Sequence, residues 1–219
     1  MILGKFHIRS GKVRVSDPCY GKDVWCSGEI ENVKNGAWGA RLIQSDKGDW
    51  GVRNAVLIAH HQDNLAIHDK GDWQKVGFEV GVDSGQAGIY DLTEYHGGED
   101  DYGQGGWYDT NCDITLDRHI PEGEPRRGAG CLPDQTGVVS CSGFGDGGYD
   151  CFTIKDEDGE VTAIKIDFGV LSEENVCDDC GESFESKGDL NCGICEDCEA
   201  EQLRVEEEAE AWDKENEED

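Results

Sequence analysis

The strongest chemical signal in the chain is Cys177-x2-Cys180, followed by Cys192-x2-Cys195-x2-Cys198. Two Cys-x-x-Cys hooks about a dozen residues apart can set four thiolates tetrahedrally around one ion, and zinc is the usual ion. Gly181 after the first hook suits a knuckle. Cys195 and Cys198 lead into a helix-compatible run, as the second hook of a treble-clef-like finger does. The expected ligands are Cys177, Cys180, Cys195 and Cys198, with Cys192 as the substitute. Four thiolates leave no open position, so this zinc is structural and not catalytic. A module this small has no core, and metal binding, roughly 10–16 kcal/mol apparent, would supply its folding energy. An iron–sulfur cluster or a redox dithiol are the competing uses of the same thiols.

A second set of candidates is acidic and lies among glycines. Residues 142–150 (SGFGDGGYD) sit between two strand-like segments, and residues 81–91 (GVDSGQAGIYD) have the same character. Glycine clusters of this kind mark shaped loops, because glycine permits backbone geometries and close approaches that other residues do not. The two stretches are expected to face each other and form the functional surface. Its candidate ligand-binding residues are Asp17, Tyr20, Asp83, Ser84, Asp91, Ser142, Asp146 and Asp150. If three of the carboxylates converged, they would suit Mg²⁺ or Ca²⁺, and phosphoester hydrolysis would follow. The plainer alternative is that each aspartate caps a turn beside its glycine. His60-His61 could supply acid–base chemistry or be hydrogen-bonded structural residues. Arg126-Arg127 could grip a phosphate or carboxylate, or be an exposed loop pair. No nucleophile elbow, phosphate-binding Walker loop or zincin motif is present.

Bulk properties narrow the classes. The chain has 219 residues, enough for one ordinary domain and a small accessory module. Forty-nine acidic side chains against nineteen basic ones give a net charge of −30, which argues against binding a phosphate backbone. Cations, basic protein surfaces and proteins that normally bind DNA are the favoured partners; the plain alternative is a charge that serves solubility alone. No apolar run is long enough to span a membrane. The start lacks an apolar signal-peptide core, so a cytoplasmic protein with reduced cysteines is expected. Six cysteines outside the cluster (Cys19, Cys26, Cys112, Cys131, Cys141, Cys151) are scattered singly and read as small buried hydrophobes.

The elements that would position these residues are short strands. Residues 12–15 alternate and run into the Asp17-Pro18 turn. Asn35-Gly36 signals a hairpin that begins near Trp25 and returns along residues 37–44. Residues 50–60 contain a continuous apolar run, 55–59, suited to a buried strand. Residues 76–82 and 87–92 read as a strand pair around the 81–86 turn, and residues 107–116 as a strand. Residues 119–136 carry Pro121, Pro125 and Pro133 and read as a surface loop. Residues 137–142, 149–155 and 161–168 complete the set, the last two joined by the acidic turn 156–159. Turn signals every eight to twelve residues imply an all-β antiparallel sandwich or barrel-like domain over residues 1–170. A cysteine-rich zinc module (171–200) and an acidic helix or tail (201–219) follow.

The motifs Asp17-Pro18-Cys19-Tyr20, Gly81-Val82-Asp83-Ser84-Gly85 and Ser142-Gly143-Phe144-Gly145-Asp146-Gly147, then Ile166-Asp167-Phe168, occur in one order. That succession resembles a family of uncharacterised bacterial and phage proteins catalogued as a domain of unknown function. The resemblance covers roughly residues 10–170, implies a β-rich fold, carries over no catalytic residue, and hints at a role in phage–host conflict. The expected function is non-enzymatic capture of a protein partner or a small ligand. A metal-dependent hydrolase of a nucleotide-like or phosphorylated molecule, and a DNA mimic, are the competing classes.

Overall fold

The computed structural model describes residues 1–62, 72–98, 103–118, 120, 127–171, 190–191 and 194–195. The chain divides into two units, Met1–Val170 and Leu171–Asp219. The first is mostly β, two antiparallel sheets with one α-helix.

The six-stranded sheet has the order β1-β4-β5-β11-β10-β6, with β1 Ile2–Ile8, β4 Gly36–Asp46, β5 Val52–His61, β6 Gln74–Val82, β10 Gly147–Lys155 and β11 Val161–Asp167. The five-stranded sheet has the order β3-β2-β7-β9-β8, with β2 Lys12–Ser16, β3 Gly28–Glu31, β7 Gln86–Asp91, β8 Ala129–Cys131 and β9 Gly137–Cys141. β1 and β5 lie against β9, and β6 lies against β2 and β3, so the two sheets sandwich the core. Side-chain alternation explains which faces meet: in β4, Trp38, Ala40 and Leu42 are buried at every second position. The apolar run of β5 is buried on both faces, as expected of a central strand. The Lys165 ammonium lies 5.0 Å over the Trp73 ring and 4.7 Å over Phe152, on the strand beside β5. The β10–β11 hairpin also forms as read, with Asp156 closing its turn by accepting from the amides of Asp158 and Glu160.

Three local expectations are corrected. The Asn35-Gly36 hairpin does not form: β3 pairs with β2 and β4 with β1 and β5, in different sheets. Asn32, between β3 and β4, takes a left-handed backbone conformation (φ 57°), and the Asn35 side chain accepts from the Gly11 amide at 2.8 Å instead of closing a turn. β6 and β7 do not pair either; β6 pairs with β10, and β7 with β2 and β9. The turn between them crosses from one sheet to the other. Residues 107–116 form an α-helix, α1 (Trp107–Thr115), not a strand. Asp109 accepts from the Gly103 and Gly105 amides just before its start. Its inner face, Asn111, Ile114 and Thr115, packs with Trp107 onto Tyr90, Tyr95, Leu132 and Val139.

In the second unit, Leu190–Asn191 (β12) pairs antiparallel with Ile194–Cys195 (β13). Cys177, Cys180, Cys192 and Cys198 lie outside the described residues, as do Arg126 and the tail 201–219.

The Asn111 side chain accepts from the buried Tyr90 hydroxyl at 3.0 Å and donates to the Trp107 carbonyl at 2.8 Å. Asn111→Ala strands that hydroxyl in the core and is expected to cost about 2 kcal/mol, read as a lowered urea midpoint with unchanged slope.

Candidate functional site

β2 ends in Ser16 and delivers Asp17 into the interior, where it is fully buried. One oxygen, Oδ2, accepts from the amides of Asp83 at 2.9 Å and Ser84 at 2.7 Å. The other, Oδ1, accepts from the Cys19 amide at 2.8 Å and the Ser84 hydroxyl at 2.6 Å. A buried carboxylate costs free energy unless its lone pairs are filled, and here four donors fill them. Asp17 is therefore the clasp that binds the turn after β2 to the β6–β7 crossing.

The chain after the clasp, residues 20–27, is held from beneath by Arg14. This residue is 3% exposed, and its Nη2 lies 2.8 Å from the Lys22 carbonyl and within hydrogen-bond reach of the Gly21 carbonyl and the Ser27 hydroxyl. Its Nη1 pairs with Glu29 at 3.2 Å. The Tyr95 hydroxyl donates to the Tyr20 carbonyl at 2.7 Å, with the Asp17 carbonyl at 3.0 Å. Trp25, carried by this segment, is 88% exposed.

The two glycine stretches do face each other. Gly147 and Gly148 pair with Val82 and Gly81, the Ser142 amide donates to the Gly85 carbonyl at 3.0 Å, and Asp146 Oδ1 accepts from the Gly85 amide at 3.1 Å. A side chain would crowd two of these positions. A Cβ on Gly81 would stand 2.7 Å from the Cys26 sulfur, and one on Gly148 would stand 2.4 Å from Glu79 Oε1. The 142–147 loop is braced internally: Ser142 Oγ donates to the Gly145 carbonyl at 2.7 Å, and the Tyr149 hydroxyl lies 2.6 Å from the same oxygen.

Where these pieces meet, an open cleft of about 560 Å³ is lined by Tyr20 and Val24 to Cys26 together with Glu79, Gly81 to Asp83 and Asp146 to Gly148. Among the described residues, its lining contains three carboxylates, Glu79, Asp83 and Asp146, two aromatic rings, Tyr20 and Trp25, and no basic side chain. Burial pushes the Tyr20 phenol well above its ordinary value, and hydrogen bonding to Asp83 and then Cys26 adds to the effect. Tyr20, protonated at neutral pH as tyrosines ordinarily are, can donate to Asp83.

Three of the eight predicted residues, Tyr20, Asp83 and Asp146, share this cleft. Asp17 and Ser84 are the clasp behind it, and Ser142 braces the glycine loop. Asp150 pairs with Lys75 at 2.6 Å on β10. Asp91 ends β7, about 17 Å of strand away from Gln86, and does not converge with the others. Burial pushes the Asp91 carboxyl up, but donors from Arg9, Thr93 and Ser10 outweigh it and hold the carboxyl below its usual range. Among the described residues, no group of three His, Cys, Asp or Glu side chains is placed to hold a metal ion. Four thiols outside the cysteine cluster are pushed up chiefly by burial, Cys19, Cys131 and Cys151 to about 12 and Cys141 to about 11. These are poor nucleophiles at neutral pH. Trp25 and Glu79 were not among the sequence candidates. Trp25 lies only five residues beyond Tyr20 in a turn-rich segment, which was the one signal available.

In Asp17→Asn an amide nitrogen must face two of the four donors. The expected loss is about 3 kcal/mol, with faster amide exchange at Asp83 and Ser84 than in the surrounding strands.

No protein-family model, curated protein or solved structure matches the chain.

Proposed function

We propose that this is a non-enzymatic binding protein whose cleft receives a cationic group, an ammonium or guanidinium, from a protein partner or small ligand. The observation that carries this reading is the cleft lining itself: three carboxylates and two aromatic rings with no basic side chain. Carboxylates supply charge and hydrogen-bond acceptors, and aromatic faces attract cations through their quadrupole. The net charge of −30 would steer a positive partner toward the surface. A hydrolytic role for the aspartates has less support, since Asp17 spends both oxygens on the clasp and Asp91 stands apart. The resemblance to phage proteins makes a host defence factor the natural partner. No described helix is long and apolar enough to cross a membrane, and six free cysteines suit a reducing cytoplasm.

Titration of the protein with argininamide and lysinamide, followed by calorimetry, tests the cleft. Binding is expected to weaken with salt and to fall at least about tenfold in the Asp83→Asn, Asp146→Asn double variant, with folding unchanged. Equal affinity in that variant overturns the reading.

The cysteine module is proposed to hold one structural zinc through Cys177, Cys180, Cys195 and Cys198. Native mass spectrometry is expected to show one zinc per chain, lost in Cys177→Ser with Cys180→Ser. A metal-free native mass argues against it.

A further inference from the structure

Exposed apolar side chains gather around Phe144, on the loop that supplies Asp146. Phe144 is 55% exposed and meets Trp50, 68% exposed, edge-on at 6.2 Å between centroids. Val52, 60% exposed, lies two residues beyond Trp50, and the Arg53 guanidinium sits 5.7 Å over the Phe144 ring. Single exposed apolar residues are ordinary, but a contiguous aromatic patch on a chain this polar marks a contact surface. The patch is also held in place. Gly143, at φ +56°, packs so closely on Val170 and Phe168 that a Cβ would stand 2.7 Å from Val170 Cγ2, and the 142–145 turn is closed by its own hydrogen bonds. A loop whose backbone is fixed before contact loses little freedom on binding, which suits a residue that anchors an interface.

We infer that Trp50 and Phe144 form the apolar half of a protein-docking surface whose acidic half is the cleft, and that the occupant is a segment of a basic protein carrying an apolar side chain beside its cationic one. The inference rests on the cleft reading and deepens it, because it selects a protein segment over a small ligand. Phe144 and Asp146 are two residues apart, at most about 7 Å along the chain, so one bound segment meets both. Charge complementarity sets the sign of the occupant: the adjoining cleft holds three carboxylates and no basic residue. The same charge, −30 per chain, opposes a second copy of this protein as the occupant.

Selection from a displayed random dodecapeptide library on the full-length protein tests this. Enriched peptides are expected to place Arg or Lys within three residues of Leu, Phe or Trp. Their affinity should fall at least tenfold for Trp50→Ser with Phe144→Ser, while argininamide binds that variant as it binds the parent and the unfolding midpoints agree. Basic peptides without an apolar residue, bound equally by the serine variant, overturn the inference and leave the cleft reading intact. Peptides indifferent to Asp83→Asn with Asp146→Asn overturn both. A library that yields no enriched sequence overturns the protein segment as occupant and returns the cleft to small cations.

Discussion

The buried carboxylate of Asp17 is the constraint on which the rest of the site depends. It satisfies two backbone amides and a hydroxyl on the β6–β7 crossing and one amide of its own turn. Without those acceptors the crossing chain would bury amides with no partner, because it leaves one sheet before it joins the other. A neutral side chain could fill the volume but not all four directions. The clasp thereby fixes where Asp83 stands, and through the Gly85 amide it also fixes Asp146. Two of the three cleft carboxylates are thus placed by a buried one that never reaches solvent.

Arg14 does the complementary work on the opposite wall. The Nη2 of its buried guanidinium engages two carbonyls and a hydroxyl of residues 21–27, and the group lies 5.7 Å over the Tyr95 ring. Its charge is offset by Glu29, which is partly exposed. A rigid fork of donors suits this task better than a lysine ammonium, since several acceptors at fixed angles are engaged at once. The two walls are thus tied into the core by ionised groups of opposite sign.

How much of this was legible in the sequence depended on whether the deciding interaction was local. The buried β5 run, the β10–β11 hairpin and the glycine loops were readable because apolar runs, turn residues and glycine spacing carry their own explanation. The β3–β4 and β6–β7 pairings were not, because alternation reveals which face of a strand is buried and not which sheet receives it. Helix α1 was misread because its buried stripe includes Asn111 and Thr115, whose burial makes sense only beside Tyr90 and Gln86, distant in sequence. The aspartates were found as a class but not sorted. Asp17, Asp83 and Asp91 look alike beside their neighbours in the sequence, yet one is a clasp, one a cleft wall and one a strand-end cap.

That sorting bears on what kind of site this is. A reaction centre needs a group whose protonation or coordination is left free to change. The carboxylate oxygens of Asp17 and Asp91 are filled by backbone and hydroxyl donors, and burial holds the Cys151 thiol protonated. On the proposed reading, the cleft carboxylates Glu79, Asp83 and Asp146 and the exposed Trp25 ring would attract and orient a cation without altering it. Recognition gains from that division, since a rim held by a saturated interior loses little conformational freedom when a partner arrives. On this reading the glycines matter for the same reason. They let two loops approach until their side chains share one surface, and the absence of a Cβ at Gly81 and Gly148 leaves room for Cys26 and Glu79 beside it.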